Sequence, residues 1–278
     1  MRGVNDMNRH FVLAFLTVPD LAPAEAIRIA AETGYDSVGL RLLPAAASGE
    51  GPYPILTDPA VLREARSALS DTGIRIGDVE IVRLKAQTKV EEFLPFLECA
   101  AVLGAANILV AGDDPDPARL TQTFARFAEL AGRYGLTADL EFMPWTGVRD
   151  AQAALAIVEK AGQANGGVLA DALHWDRTGG KVDDLTSIPT ERIHYFQICD
   201  APKEFIDTDS ELIRVARGGR LFPGQGGIDL RAFLAALPAN VPISVEIASE
   251  ELNARLAPRE RAAQALAATL SLMNSLQN

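Results

Sequence analysis

Four stretches of the chain each carry a side chain able to hold a metal ion or move a proton. ADLEF supplies Glu141; VLADALH supplies Asp171 and, three residues on, His174; HYFQICD supplies Gln197; ISVEI supplies Glu246. Each stands near the end of a short apolar run. The first two gaps are about one strand-plus-helix unit, and the last is lengthened by an insertion. A charged residue within an apolar strand costs free energy unless something compensates it. Any one of these residues reads equally well as a buried polar group paired with a neighbouring strand. Four on successive strands, at equivalent ends, are hard to explain as separate accidents. Three carboxylates gathered without a partner would repel one another in a low dielectric. A divalent cation resolves that repulsion, so Glu141, Asp171, Gln197 and Glu246 are expected to hold one. Oxygen ligands without a thiolate favour Mn²⁺ or Mg²⁺, and geometry could admit Co²⁺ or Zn²⁺.

The elements that must position these groups alternate strand and helix from one end to the other. Strands are expected at Phe11–Thr17, Ser37–Leu42, Arg75–Val82, Asn107–Ala111, Thr137–Phe142, Gly167–Leu173, His194–Asp200 and Ile243–Ile247. Between them lie segments with helical spacing of apolar positions. One runs from Pro23 to a Gly34 cap, one is closed by Gly104, one opens at Asp116–Pro117 and is closed by Gly135, and the last runs from Pro258 to about Met273. A doubly wound sheet would want a glycine-rich turn after the first strand, and the turn here reads TVPDLAPAE. The expected architecture is therefore an α/β fold, a (β/α)₈ TIM barrel, forming one domain over 1–278. Residues 1–9 are expected to be a flexible lead-in, with Met7 as an alternative start. Residues 201–227 are expected to be a long loop on the catalytic face, because a loop following a barrel strand lies there.

The bulk properties agree. The length, 278 residues, suits one barrel, and 48% hydrophobic residues with only 6% aromatics suit helices packed on a parallel sheet. A net charge of −11, from 26 basic and 37 acidic residues, argues against nucleic acid as a partner. Cys99 and Cys199 form no CxxC pair and read as reduced, buried thiols. No apolar run reaches the length of a membrane span, and the start has no signal-peptide core. The expected setting is cytoplasmic, without a membrane partner, and a homo-oligomer is one arrangement the sequence allows.

With Glu141, the Asp-x-x-His of Asp171 and His174, Gln197 and Glu246 in this order on strands five to eight, the chain resembles the xylose-isomerase-like barrel superfamily of sugar phosphate isomerases and epimerases. RLFPGQGGIDL, from Arg220, resembles the PGxGxID segment common before the last helix of that family. The resemblance spans the chain from about Phe11. It implies that Glu141, Asp171, Gln197 and Glu246 are metal ligands and that His174 touches substrate. The group includes ketose 3-epimerases, inosose dehydratase and 3-dehydroshikimate dehydratase. Sugar epimerases usually carry His where this chain has Gln197, whereas dehydroshikimate-dehydratase-like members can use Gln. Ketose epimerases also tend to carry a Glu where this chain has Gly147.

The leading expectation is a divalent-metal-dependent sugar (phosphate) isomerase or epimerase acting on a small polyhydroxy ketone through an enediolate. Glu141 and Glu246 would be its base and acid, and His174 would assist. The alternative is a metal-dependent dehydratase of a β-hydroxy ketone, like 3-dehydroshikimate dehydratase or inosose dehydratase. An endonuclease-IV-like repair enzyme is disfavoured by three histidines in total and by the acidic charge; a non-catalytic sugar-binding barrel is disfavoured by the intact ligand set.

Other side chains carry two readings each. Arg41 lines the pocket or pairs with Glu80. Trp145 and Trp175 face a substrate's carbon side or pack the rim. Lys203, Arg217 and Arg220, in the insertion, clamp an anionic substrate group or form a basic, solvated loop. Asp200 braces the site or caps the following loop, and His10 and His194 are structural.

Overall fold

In the computed structural model of the chain, residues 9–45 and 50–276 are described. Short runs rich in Val, Ile, Leu and Ala form strands that are buried on both faces, as a parallel sheet covered by helices requires. They are β1 (Phe11–Leu13), β2 (Ser37–Arg41), β3 (Arg75–Leu84), β4 (Asn107–Gly112), β5 (Ala138–Glu141), β6 (Gly166–Asp171), β7 (Phe196–Ile198) and β8 (Ile243–Val245). All pair in parallel, and β8 returns to β1, closing the barrel in sequence order. The helices are α1 (Pro23–Thr33), α2 (Pro59–Thr72), α3 (Leu94–Leu103), α4 (Pro117–Gly132), α5 (Ala151–Ala161), α6 (Ala172–Arg177), α7 (Val182–Thr186), α8 (Asp209–Gly218), α9 (Leu230–Ala236), α10 (Glu250–Arg255) and α11 (Pro258–Ser275). No helix among the described residues is long and apolar enough to cross a membrane.

Alternation along the strands sorts side chains between two cores. Val110 on β4 belongs to the large core between sheet and helices, with Phe124, Phe127, Phe196 and Phe233. Its neighbours Leu109 and Ala111 belong to a second, smaller cluster with Ile81, Met143, Leu169 and Tyr195, inside the barrel. Polar groups share that interior. At the N-terminal end, His194 Nδ1 is hydrogen-bonded to Asp139, and His10 to Ser37. A Cβ on Gly167 would overlap both Asp139 Oδ1 and His194 Nδ1, so this close approach requires glycine.

Several boundaries differ from those the sequence suggests. β1 stops at Leu13, and Phe15–Thr17 turn into a 3₁₀ helix. The cause is Thr17, whose hydroxyl donates to Val245 O and accepts from Ile247 N, both at 2.8 Å, tying the chain across the barrel mouth. β6 ends at Asp171 instead of Leu173 because Asp171 caps α6. β3 runs on through Leu84. The insertion is not loop throughout. Its middle folds as α8, with Leu212 and Ala216 buried on one face. Of the expected lead-in, residues 1–8 lie outside the described residues.

Candidate active site

Strand register brings the acids to one end of the barrel. Glu141 ends β5 opposite Leu169, Asp171 ends β6 opposite Gln197, and Gln197 lies opposite Ser244, two positions before Glu246. Asp171 is fixed further by its cap role, accepting from Leu173 N at 2.8 Å and His174 N at 3.1 Å. That first turn of α6 also presents His174. Glu141, Asp171, His174, Gln197 and Glu246 are all buried.

The structure groups them unevenly. Glu141, Asp171 and His174 each offer a ligand atom, all within 4.8 Å of one another. His174 Nε2 stands 3.6 Å from Glu141 Oε1, and Trp145 meets the imidazole edge-on at 5.0 Å between ring centroids. Gln197 and Glu246 form an adjoining pair, with Gln197 Nε2 donating to Glu246 Oε1 at 2.9 Å. The two groups are joined by Arg220. Its Nη1 donates to Asp171 Oδ2 at 2.6 Å, its Nη2 lies 3.0 Å from Glu246 Oε2, and its Nε donates to Ala216 O at 2.9 Å. Arg220, expected in an anion clamp on a loop, is instead buried between two of the expected metal ligands.

Electrostatics separate the acids. Burial, then the charges of Asp171 and Glu246, raise Glu141 well above the usual carboxylate range. Burial pushes Glu246 up to about 8, with Arg220 opposing. Burial would raise Asp171 too, but Arg220 and His174 overcome it and hold it below its ordinary value. His174 is lowered by burial to about 4, which leaves a neutral imidazole near pH 7. Two buried atoms in this cluster, Gln197 Oε1 and His174 Nδ1, have no hydrogen-bond partner. Buried polar atoms are nearly always paired. An orphaned carbonyl oxygen, a neutral imidazole and crowded carboxylates are the donor set a divalent cation would satisfy, so the residues fit such an ion.

A cavity of about 260 Å³ opens above these groups, lined by Glu141, His174, Glu246, Trp145 and arginines from several elements. Arg41 lines it and is also paired, with Glu50 at 2.8 Å and Glu80 at 3.0 Å, its guanidinium over the Phe15 ring. Arg217, in the last turn of α8, lines it as well. Lys203 does not. It lies in a separate cleft with Arg177 and Phe205, because the chain leaves the barrel mouth after Asp200, so the expected clamp of Lys203 with Arg217 and Arg220 does not form. Trp175 packs on Phe233 and donates to Lys181 O, away from the cavity. Asp200 neither caps a helix nor touches the acids. It accepts from Ala201 N, Gly224 N and Ile228 N and so pins the PGQGGI turn. Sequence reasoning missed Arg83, the penultimate residue of β3, which lines the cavity while Asp113 grips it. An arginine in an apolar strand was the available signal.

Residues 27–272 match the family model described as xylose isomerase-like TIM barrel. A 3-dehydroshikimate dehydratase from Pseudomonas aeruginosa is 33% identical over 143 residues, half of this chain and 22% of that protein. An inosose isomerase from Bacillus velezensis is 31% identical over 134 residues, 45% of each chain. The chain thus spans less than half the length of these curated relatives in the matched regions. Among solved structures, the IolI protein with a bound zinc atom superposes with a TM-score of 0.79 over 96% of this chain and 99% of that one, at 19% identity.

Proposed function

From the premise that this chain belongs to the xylose isomerase-like TIM barrel family, we propose that it is a divalent-metal-dependent isomerase or epimerase of a small polyhydroxy ketone. The observation that carries the reading is the pair of buried carboxylates, Glu141 and Glu246, lining one cavity beside Asp171, His174 and the orphaned oxygen of Gln197. Glu141, Asp171, Gln197 and Glu246 would hold the cation, with His174 close enough to join them. Mn²⁺ or Mg²⁺ suits the oxygen donors, and an imidazole ligand would extend the range to Co²⁺ or Zn²⁺. Such an ion would polarise the substrate carbonyl and stabilise the charge of an enediolate.

The remaining chemistry belongs to the side chains. Glu246 takes the proton from the carbon next to the carbonyl, and Glu141 returns one to the other face or to the adjacent carbon. Arg220 keeps negative charge on Asp171 and, bonded to Glu246 as well, opposes the burial that favours its protonated form. Neutral His174 donates a hydrogen bond to a substrate hydroxyl, and Trp145 walls the cavity against water.

A second reading, a dehydratase, is favoured by Gln197 and by the 33% identity to a 3-dehydroshikimate dehydratase. There Glu246 takes the proton from the same carbon and the β-hydroxyl leaves as water, protonated by the Glu141 carboxyl while His174 hydrogen-bonds its oxygen. Incubation of the metal-loaded protein with ketoses and cyclic β-hydroxy ketones tests both. New NMR signals of an epimer or isomer support the first; a conjugated ultraviolet band supports the second; neither product from any compound overturns both.

A further inference from the structure

Beneath the acids lies a second polar tier. Side chains along a strand return to the same face every two residues, so the residue two before each site residue faces the barrel interior one step deeper. These are Gly39 below Arg41, Asp78 below Glu80, Asp139 below Glu141, Tyr195 below Gln197 and Ser244 below Glu246. Register sets Asp78 beside Gly39, and Tyr195 packs on Leu109 and Leu169 inside the barrel. A Cβ on Gly39 would stand 2.9 Å from both carboxyl oxygens of Asp78, so this close approach requires glycine and fixes Asp78 as inward. Asp139 is satisfied there by His194 and Thr137. The other three polar residues are not. Asp78 Oδ2, Tyr195 Oη and Ser244 Oγ have no hydrogen-bond partner among the described residues, although these residues are only 2%, 1% and 0% exposed. Buried polar atoms are nearly always paired.

We propose that Asp78, Tyr195 and Ser244 bind one ordered water inside the barrel, and that this water positions Gln197 and Glu246 by tying β7 and β8 to β3. The role rests on the reading above in one respect, that Gln197 and Glu246 hold the cation. A water suits the three atoms because a buried water typically makes about three hydrogen bonds to groups otherwise unsatisfied. Two hydroxyls can each donate or accept. Asp78 completes the set as a neutral carboxyl. Glu80 has Arg41, Asp139 has His194, and Asp171 and Glu246 share Arg220, whereas Asp78 has no cationic partner among the described residues. Burial, then the charges of Glu80, Glu246 and Asp139, raise its carboxyl well above the usual range. An uncharged site of this kind holds water better than a cation. The tie matters because β7 and β8 are only three residues long, with few ladder bonds to set their height. β3, by contrast, has ten residues and stands opposite β7 in the closed order. Tyr195 and Ser244 each lie two residues from a ligand, so a shift at either one moves the ligand above it.

A high-resolution crystal structure of the protein tests the site. One solvent peak about 2.5–3.0 Å from Asp78 Oδ2, Tyr195 Oη and Ser244 Oγ is expected. No peak, direct bonding among the three side chains, or an anomalous signal after rubidium soaking, which marks a cation, would overturn it. Mn²⁺ titration followed by electron paramagnetic resonance tests the positioning. Tyr195→Phe and Ser244→Ala each remove one partner of the water and leave the surrounding packing in place. Each is expected to weaken Mn²⁺ binding about 2- to 10-fold, the worth of one hydrogen bond. Asp78→Asn, whose amide still donates, is expected to keep both the peak and the parental affinity. Parental affinity in Tyr195→Phe and Ser244→Ala, or equal weakening in Asp78→Asn, would overturn the positioning role. Neither measurement needs a substrate. Failure of every ketone to react would therefore contradict the proposed reaction and leave this site standing, whereas a parent that binds no Mn²⁺ would overturn the positioning role together with the metal reading.

Discussion

Gln197 donates its amide N–H to Glu246 Oε1 at 2.9 Å and holds its own Oε1 buried without a partner. The donation orients Glu246, and the same rotamer leaves a carbonyl oxygen for a cation. Gln197→Leu removes both. It is expected to weaken Mn²⁺ binding at least about 10-fold while changing the stability of metal-free protein by no more than about 1 kcal/mol, because a hydrogen bond and an orphaned oxygen disappear together. Metal-dependent shifts in Tm check this, and an unchanged Mn²⁺ shift would show that Gln197 does not contribute to the ion's site.

Arg220 is fully enclosed between Asp171 and Glu246. Arg220→Met leaves two buried carboxylates uncompensated, which is expected to cost about 3–5 kcal/mol in metal-free protein. Mn²⁺ should recover more stability in this variant than in the parent, since the cation then supplies charge that the guanidinium no longer does. Denaturant melts with and without Mn²⁺ measure the difference; equal metal effects in the two proteins would contradict it.

At the opposite end, the His194–Asp139 contact carries a pH signature. Burial alone would lower His194, but the hydrogen bond and charge of Asp139 leave it raised above 6.5. Because the folded value exceeds the unfolded one, the contribution is fully present below pH 6.5 and is lost as pH rises through the folded value. His194→Asn is expected to cost about 1–3 kcal/mol on the acid side, less at about pH 9. Urea midpoints across that window, parent minus variant, should converge as pH rises.

Much of this arrangement is legible in the residues themselves. Glu141, Asp171 and Glu246 stand out because inward acids are costly in apolar strands, and alternation with Leu140, Ala170 and Val245 gives their facing. What spacing alone does not reveal is partnership across the barrel. Arg220 lies in a glycine-rich stretch that reads as solvated loop, yet α8 lifts it into the site. The start of α8 at Asp209 and its apolar Leu212, Val215 and Ala216 carried a helical signal, weakened by the charges around them. Lys203 was misplaced because a loop leaving a barrel mouth can turn outward, and nothing local in Ala201–Pro202–Lys203 sets that direction.

The central claim is that Glu246 moves a proton at the carbon beside a ketone. Glu246→Gln keeps an amide oxygen for the cation but has no useful basicity near neutral pH. Deuterium wash-in from D₂O into a panel of ketoses and cyclic β-hydroxy ketones, read by NMR on Mn²⁺-loaded protein, reports this step whatever product follows. The parent is expected to exchange the proton of at least one compound, and Glu246→Gln to lose about 10²–10⁴-fold of that rate while still binding Mn²⁺. A metal-loaded parent that exchanges no such proton, or a variant that exchanges it at the parental rate, would contradict the account.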